Sequence, residues 1–182
     1  QGGDAVLILE ESTLEFNSAV DRGGAVGATS GGQIQVIGGK TSSIKNNKVT
    51  GTGAGGGVLQ DGASLNVSGT GTKLVVEDNT AQDKGGGVYA LSASTIIVSS
   101  GGQLTVTNNT AKFGGGIYLQ IGTSLNVSGT GTKLVVEDNT ASDGGGVCAS
   151  AASTILVSSG GQLTVTNNKA KFGGGVCLSN EG

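Results

Sequence analysis

Residues 64–81 read SLNVSGTGTKLVVEDNTA, and residues 124–141 read the same, 60 positions later. Between the two copies, residues 94–109 read STIIVSSGGQLTVTNN and return at 153–168 with a single change, Ile97 to Leu156. A 60-residue unit therefore occurs twice, over about 64–123 and 124–182, and each unit holds two half-repeats of about 30 residues. Residues 1–63 carry the same landmarks in more divergent form, so 1–182 reads as one repeat domain. Self-similarity at a fixed period is the mark of a solenoid, in which each repeat buries its apolar face against the next.

The landmarks form columns. A glycine run followed by an aliphatic residue ends at Val26, Val58, Val88, Ile117, Val147 and Val176, at intervals of 32, 30, 29, 30 and 29. Further on come Ile34, Leu65, Ile96, Leu125 and Ile155, and two residues later Val36, Val67, Val98, Val127 and Val157. Leu74, Leu104, Leu134 and Leu163 follow, then Ile44, Val76, Val106, Val136 and Val165. Three residues beyond this last column stands Asn47, Asn79, Asn109, Asn139 or Asn168. Apolar residues two apart with polar residues between them are the pattern of a half-buried strand. No stripe at helical spacing appears. The prediction is an all-β chain, a right-handed parallel β-helix with about 30 residues and three strands per coil in five to six coils. Coils would rise about 4.8 Å each. Hexapeptide periodicity, expected of a left-handed β-helix, is missing, and a sandwich or propeller would need hairpin signals that are scarce.

Composition fits a thin core. The chain has 182 residues, 37 glycines, five aromatics, and no proline, tryptophan, methionine or histidine. A rounded core of this size draws on large aromatics; stacked Val, Ile and Leu do not need them. The net charge of −3 and pI near 4.8 leave no basic stripe for phosphates, which argues against a nucleic-acid partner. No apolar run reaches the roughly 18 residues of a spanning helix. The chain opens on Gln1-Gly2-Gly3 with no leader pattern, as a mature or excised segment would.

The conspicuous residues read mostly as structure. The asparagines are expected to form a ladder at an inner corner, exchanging amide hydrogen bonds along the axis. Gly86, Gly115, Gly145 and Gly174, central in their runs, are read as turn residues that supply φ > 0 or close backbone approach. Glu77-Asp78 and Glu137-Asp138 are the nearest thing to a carboxylate pair. They are copied residues in copied repeats, and a solvated edge accounts for them. No catalytic, cofactor-binding or metal-ligating residue is assigned, and no cofactor is expected. The calcium-binding nonapeptide pattern is missing. Thr105-Val106-Thr107 and Thr164-Val165-Thr166 are interrupted in alternate coils, against an ice-binding array. Cys148 and Cys177 follow the glycine-run valines in successive coils, at positions held earlier by Tyr89 and Tyr118. Stacked in register they would lie within disulfide range; a bridge and two free thiols stand as equal alternatives. Asn66-Val67-Ser68 and Asn126-Val127-Ser128 are sequons whose asparagines should point outward.

Alternation of [aliphatic]-x-x-Asn with a glycine run and an aliphatic residue resembles the repeats of chlamydial polymorphic outer membrane proteins, with their FxxN and GGA[ILV] signatures. Gly23-Gly24-Ala25-Val26 matches the second, and GGG[VI] replaces it elsewhere, as at Gly114 to Ile117. The first is represented by Leu14 to Asn17, Ile44 to Asn47, Val76 to Asn79, Val106 to Asn109, Val136 to Asn139 and Val165 to Asn168, never with Phe in the leading place. The resemblance implies an autotransporter-type passenger at the cell surface or outer membrane, an adhesin binding a host-cell receptor or glycan. An extracellular filament or sheath, built by end-to-end homotypic stacking of coils, is the second expectation. A polysaccharide-active enzyme is the distant third.

Overall fold

The computed structural model describes residues 4–180; the opening Gln1-Gly2-Gly3 lies outside them. The described residues form an all-β solenoid of about six turns without a helix, and three six-stranded sheets run its length. The first sheet stacks Val6–Leu9, Gln33–Val36, Ser64–Ser68, Thr95–Ser99, Ser124–Ser128 and Thr154–Ser158. The second stacks Thr13–Glu15, Thr41–Lys45, Lys73–Glu77, Gln103–Thr107, Lys133–Glu137 and Gln162–Thr166. The third stacks Val26–Thr29, Val58–Asp61, Val88–Leu91, Ile117–Leu119, Val147–Ser150 and Val176–Ser179. Every pairing is parallel and in register: Leu74 sits beside Leu104, Val76 beside Val106, and Ile96 between Leu65 and Leu125. The pair Ser18–Ala19 and Lys48–Val49 begins a narrower fourth ladder, which bridges continue through Thr80, Thr110, Thr140 and Lys169.

The interior is the set of columns that period-2 alternation defines. Ile34, Val36, Leu65, Val67, Leu74, Val76 and their equivalents are fully buried. At the end coils Leu7, Leu14, Ile155, Leu163 and Val165 are only partly covered. The column of Leu74 is broken at its near end by Ser42, buried, whose hydroxyl oxygen accepts the Ser12 N–H at 3.2 Å. The third sheet holds a less expected member. Gln60 lies between Ala28 and Ala90, fully buried, with its carboxamide oxygen unpartnered.

The unequal repeat lengths are absorbed in turns. Four residues link Ser68 to Lys73, where Gly69 and Gly71 have φ of 102° and 81° around Thr70. Three residues link Ser99 to Gln103, and Ser100 and Gly101 take φ of 53° and 81°. The residue before each ladder asparagine is also left-handed: Phe16, Asn46, Asp78, Asn108, Asp138 and Asn167 have φ of 54–57°. Asn and Asp tolerate that conformation best among residues with a side chain. The acidic residues Asp78 and Asp138 thus occupy a place set by backbone shape.

The glycine runs divide the two expected roles between positions. The left-handed positions are the first glycines, Gly85, Gly114, Gly144 and Gly173, with φ of 58–63°. The central Gly86, Gly115 and Gly145 have no positive φ; their role is close approach. A Cβ on Gly115 would lie 2.5 Å from the Thr140 carbonyl oxygen and 2.6 Å from that of Gly145. Gly174, in the last coil, has nothing nearer than 3.2 Å.

Candidate binding groove

The asparagine ladder fixes the corner between the second sheet and the loops that follow it. Asn79 Nδ2 donates to the Ile44 carbonyl at 2.9 Å and to Asn109 Oδ1 at 3.0 Å, while the Asn79 N–H donates to the same Oδ1 at 2.9 Å. The pattern runs from Asn17 through Asn47, Asn109 and Asn139 to Asn168. Asn47, Asn79, Asn109 and Asn139 are fully buried. With amide donors and acceptor all engaged, the column has no capacity for a ligand.

Beyond this corner each loop folds back over the outer face of the third sheet. Bridges Lys84 to Phe113, Phe113 to Asp143 and Asp143 to Phe172 hold the returning segments together. Beneath them a second apolar cluster packs outside the main core: Ala54, Leu59, Tyr89, Tyr118, Cys148 and Cys177. Leu59, Tyr89, Tyr118, Cys148 and Cys177 are one in-register column. The rings of Tyr89 and Tyr118 lie 5.7 Å apart and tilted, and Phe113 stands 6.4 Å from Tyr118. Lys84 Nζ sits 5.7 Å from the Tyr118 ring centre and Lys112 Nζ 5.0 Å from that of Phe113. Both geometries fit cation–π attraction.

Between the returning loops and this column runs a groove. One stretch, of about 360 Å³, lies around Arg22, Asp83 and Tyr89. A larger one, of about 520 Å³, lies between Phe113, Asp143, Phe172 and the two cysteines. Lys84 lines both. Gln120 anchors the wall: its Oε1 accepts the Tyr89 hydroxyl and, at 3.5 Å, Lys84 Nζ. The Tyr118 hydroxyl pairs with Ser150 Oγ at 3.3 Å. Burial pushes Tyr89 up to about 12, and it raises Tyr118 as well, against the Ser150 hydrogen bond that lowers it. Burial first, and then the hydrogen bond to Cys177, pushes the Cys148 thiol up to about 12, so at neutral pH it is protonated. Cys148 and Cys177 are free thiols here. A protonated, desolvated thiol is a poor nucleophile.

The carboxylates singled out in the sequence are elsewhere. Glu77 and Glu137 stand on the second sheet with Thr107 between them. The groove's own acids are Asp21 and Asp83 in the smaller stretch and Asp143 in the larger. Arg22 is in an exposed ion pair with Asp61 at 3.5 Å. Among the described residues no three His, Cys, Asp or Glu side chains converge as a metal site would require, and no helix is long and apolar enough to cross a membrane. Asn66, on the outer face of the first sheet, is half-buried beside Ile97, and its Oδ1 is covered and unpartnered. The groove is not legible in the sequence pattern, because Tyr89 and Tyr118, next to the inward Val88 and Ile117, are covered only by loops that return from other coils. The available signal was Lys-Phe before the glycine run in alternate coils, at Lys112-Phe113 and Lys171-Phe172.

The family model described as right handed beta helix region matches residues 1–182. No curated protein and no solved structure matches the chain.

Proposed function

The chain belongs to the right-handed β-helix family, and from that premise we propose that it is a non-catalytic attachment scaffold, displayed outside the cell at its surface. Its contact with a host-cell receptor or glycan runs along the groove over the third sheet. The observation that carries this reading is the groove itself, in which Phe113, Phe172 and Lys84 present apolar and cationic surface and Gln120 supplies an amide. Such a mixture of ring faces and a few polar groups suits adhesion. The Cys148 thiol in the groove is protonated, which favours binding over nucleophilic bond cleavage. The adhesin assignment itself rests on the resemblance of the repeats to surface passengers.

The test is to incubate the purified chain with immobilised host-surface glycans and with soluble polysaccharides of several charge classes. Saturable retention without release of reducing ends or unsaturated products supports the scaffold. Turnover of any polysaccharide overturns it and makes the chain an enzyme.

A second reading, homotypic stacking into a filament, is favoured by the in-register parallel ladders, in which each coil presents the same apolar columns and backbone groups to the next. Sedimentation velocity over a wide concentration range checks it: growth in mass supports stacking, and a constant monomer excludes it.

A further inference from the structure

The outer column of the third sheet changes character over its last two coils. Leu59, Tyr89 and Tyr118 are large; Cys148 and Cys177 are small and sulfur-bearing. They are direct register partners in the strands Val147–Ser150 and Val176–Ser179. Directly paired parallel residues lie about 4.8 Å apart at Cα, inside the range a disulfide spans. The side chains converge. A methyl group on Gly144 would lie 3.2 Å from Cys148 Sγ and 3.2 Å from Cys177 Cβ. Both are buried, yet both line the wide stretch of the groove, where the space that Tyr occupies in earlier coils stands open. A small solute can therefore reach them.

The strand Val176–Ser179 pairs with Val147–Ser150 and with no other described strand, and its Val176 and Leu178 are 43% and 72% exposed. We propose that Cys148 and Cys177 form an intramolecular disulfide when the chain meets a small-molecule disulfide oxidant, and that this bond staples the strand Val176–Ser179 to Val147–Ser150.

The chemistry is thiol–disulfide exchange. One cysteine thiolate attacks a sulfur of the oxidant and forms a mixed disulfide, expelling one thiolate. The second cysteine thiolate attacks the protein sulfur of that mixed disulfide, forming the Sγ–Sγ bond and expelling the other thiolate. Two protons leave the cysteines and end on the two released thiols, so the protein pair is oxidised and one oxidant disulfide is reduced.

The intact chain is equilibrated with oxidised and with reduced glutathione, and the products are compared by intact mass, non-reducing peptide mapping and hydrogen exchange. The expected product is a monomer lighter by the mass of two hydrogens, with a peptide joining Cys148 to Cys177. Amides of Val176–Ser179 should then exchange at least about tenfold more slowly than in the reduced chain. The variant carrying Cys148→Ala and Cys177→Ala should exchange alike in both buffers. A persistent dithiol, a lasting glutathione adduct or a disulfide-linked dimer would overturn the proposal. So would a Cys148–Cys177 bond that leaves exchange of the last strand unchanged. The wild-type comparison stands even if the double variant fails to fold.

Discussion

Asn109 Oδ1 accepts two hydrogen bonds from Asn79 in the preceding coil, one from the backbone N–H at 2.9 Å and one from the side-chain amide at 3.0 Å. The Asn109 side chain in turn donates to the Val76 carbonyl and to Asn139 Oδ1. Each ladder residue therefore serves its own coil and both neighbours. Removing a partner from a buried donor costs about 1–3 kcal/mol. Asn109→Ala, which strands the Asn79 N–H and the Val76 carbonyl, should destabilise the chain by about 3 kcal/mol in urea unfolding.

Asn108, the neighbouring residue, makes the opposite prediction. It is exposed with φ of 54°. Asn108→Gly should be nearly neutral, because glycine adopts that conformation freely. Asn108→Val should cost about 1–2 kcal/mol from backbone strain alone. Equal effects of the two changes would show that shape does not select the residue there.

Gly115→Ala and Gly122→Ala separate close approach from backbone hand. Gly122 has φ of 68° with open space around it, whereas Gly115 is pressed against two carbonyl oxygens. Gly122→Ala should cost about 1 kcal/mol, and Gly115→Ala about 3 kcal/mol or more, because backbone on both sides must shift. Thermal unfolding of the two variants ranks them.

Gln60→Leu should stabilise the protein. The Gln60 carboxamide oxygen is buried without a partner, and its nitrogen reaches only the Thr95 carbonyl at 3.5 Å. Leucine already fills the same column at Leu119 and Leu178. A gain of about 1 kcal/mol is expected, seen as a rise in Tm of about 2–4 °C.

Alkali should loosen the groove. Burial raises Tyr89 from 10.0 to about 12, so its neutral form favours the folded state. That contribution is complete below pH 10.0 and is lost as pH climbs through about 12. Tyr89→Phe should lose less stability than wild type across this window, with phenolate absorbance reporting the titration. A parallel decline would assign alkaline unfolding to other groups.

The solenoid was legible because its core obeys period 2 within a strand and about 30 between coils. Leu65, Leu74, Val76 and their copies announce inside and outside locally. Other features depend on partners distant in sequence. Alternation from Val58 places Gln60 inside, but its polar side chain argues against that placement, so its burial is not legible locally. Tyr89 and Tyr118 alternate correctly as outer residues, and their burial comes from loops that return over them. Glycine runs signal tight backbone, but only the three-dimensional turn separates left-handed Gly85 from Gly86, which lies close against the next coil. The register of Cys148 with Cys177 follows from their spacing; the open groove beside them does not.

The most direct test of the attachment account is binding of the purified chain to cultured host-type cells, compared with variants altered only in the groove. Phe172, 61% exposed, lines the groove and can be changed without disturbing the core. Phe172→Ser should lower bound protein at least about tenfold, as loss of a contact-centre residue does, while the melting temperature stays near that of wild type. A control on the second sheet, Thr107→Asp, should bind as wild type does. Undiminished binding by the groove variant, or equal loss in the control, would contradict the account.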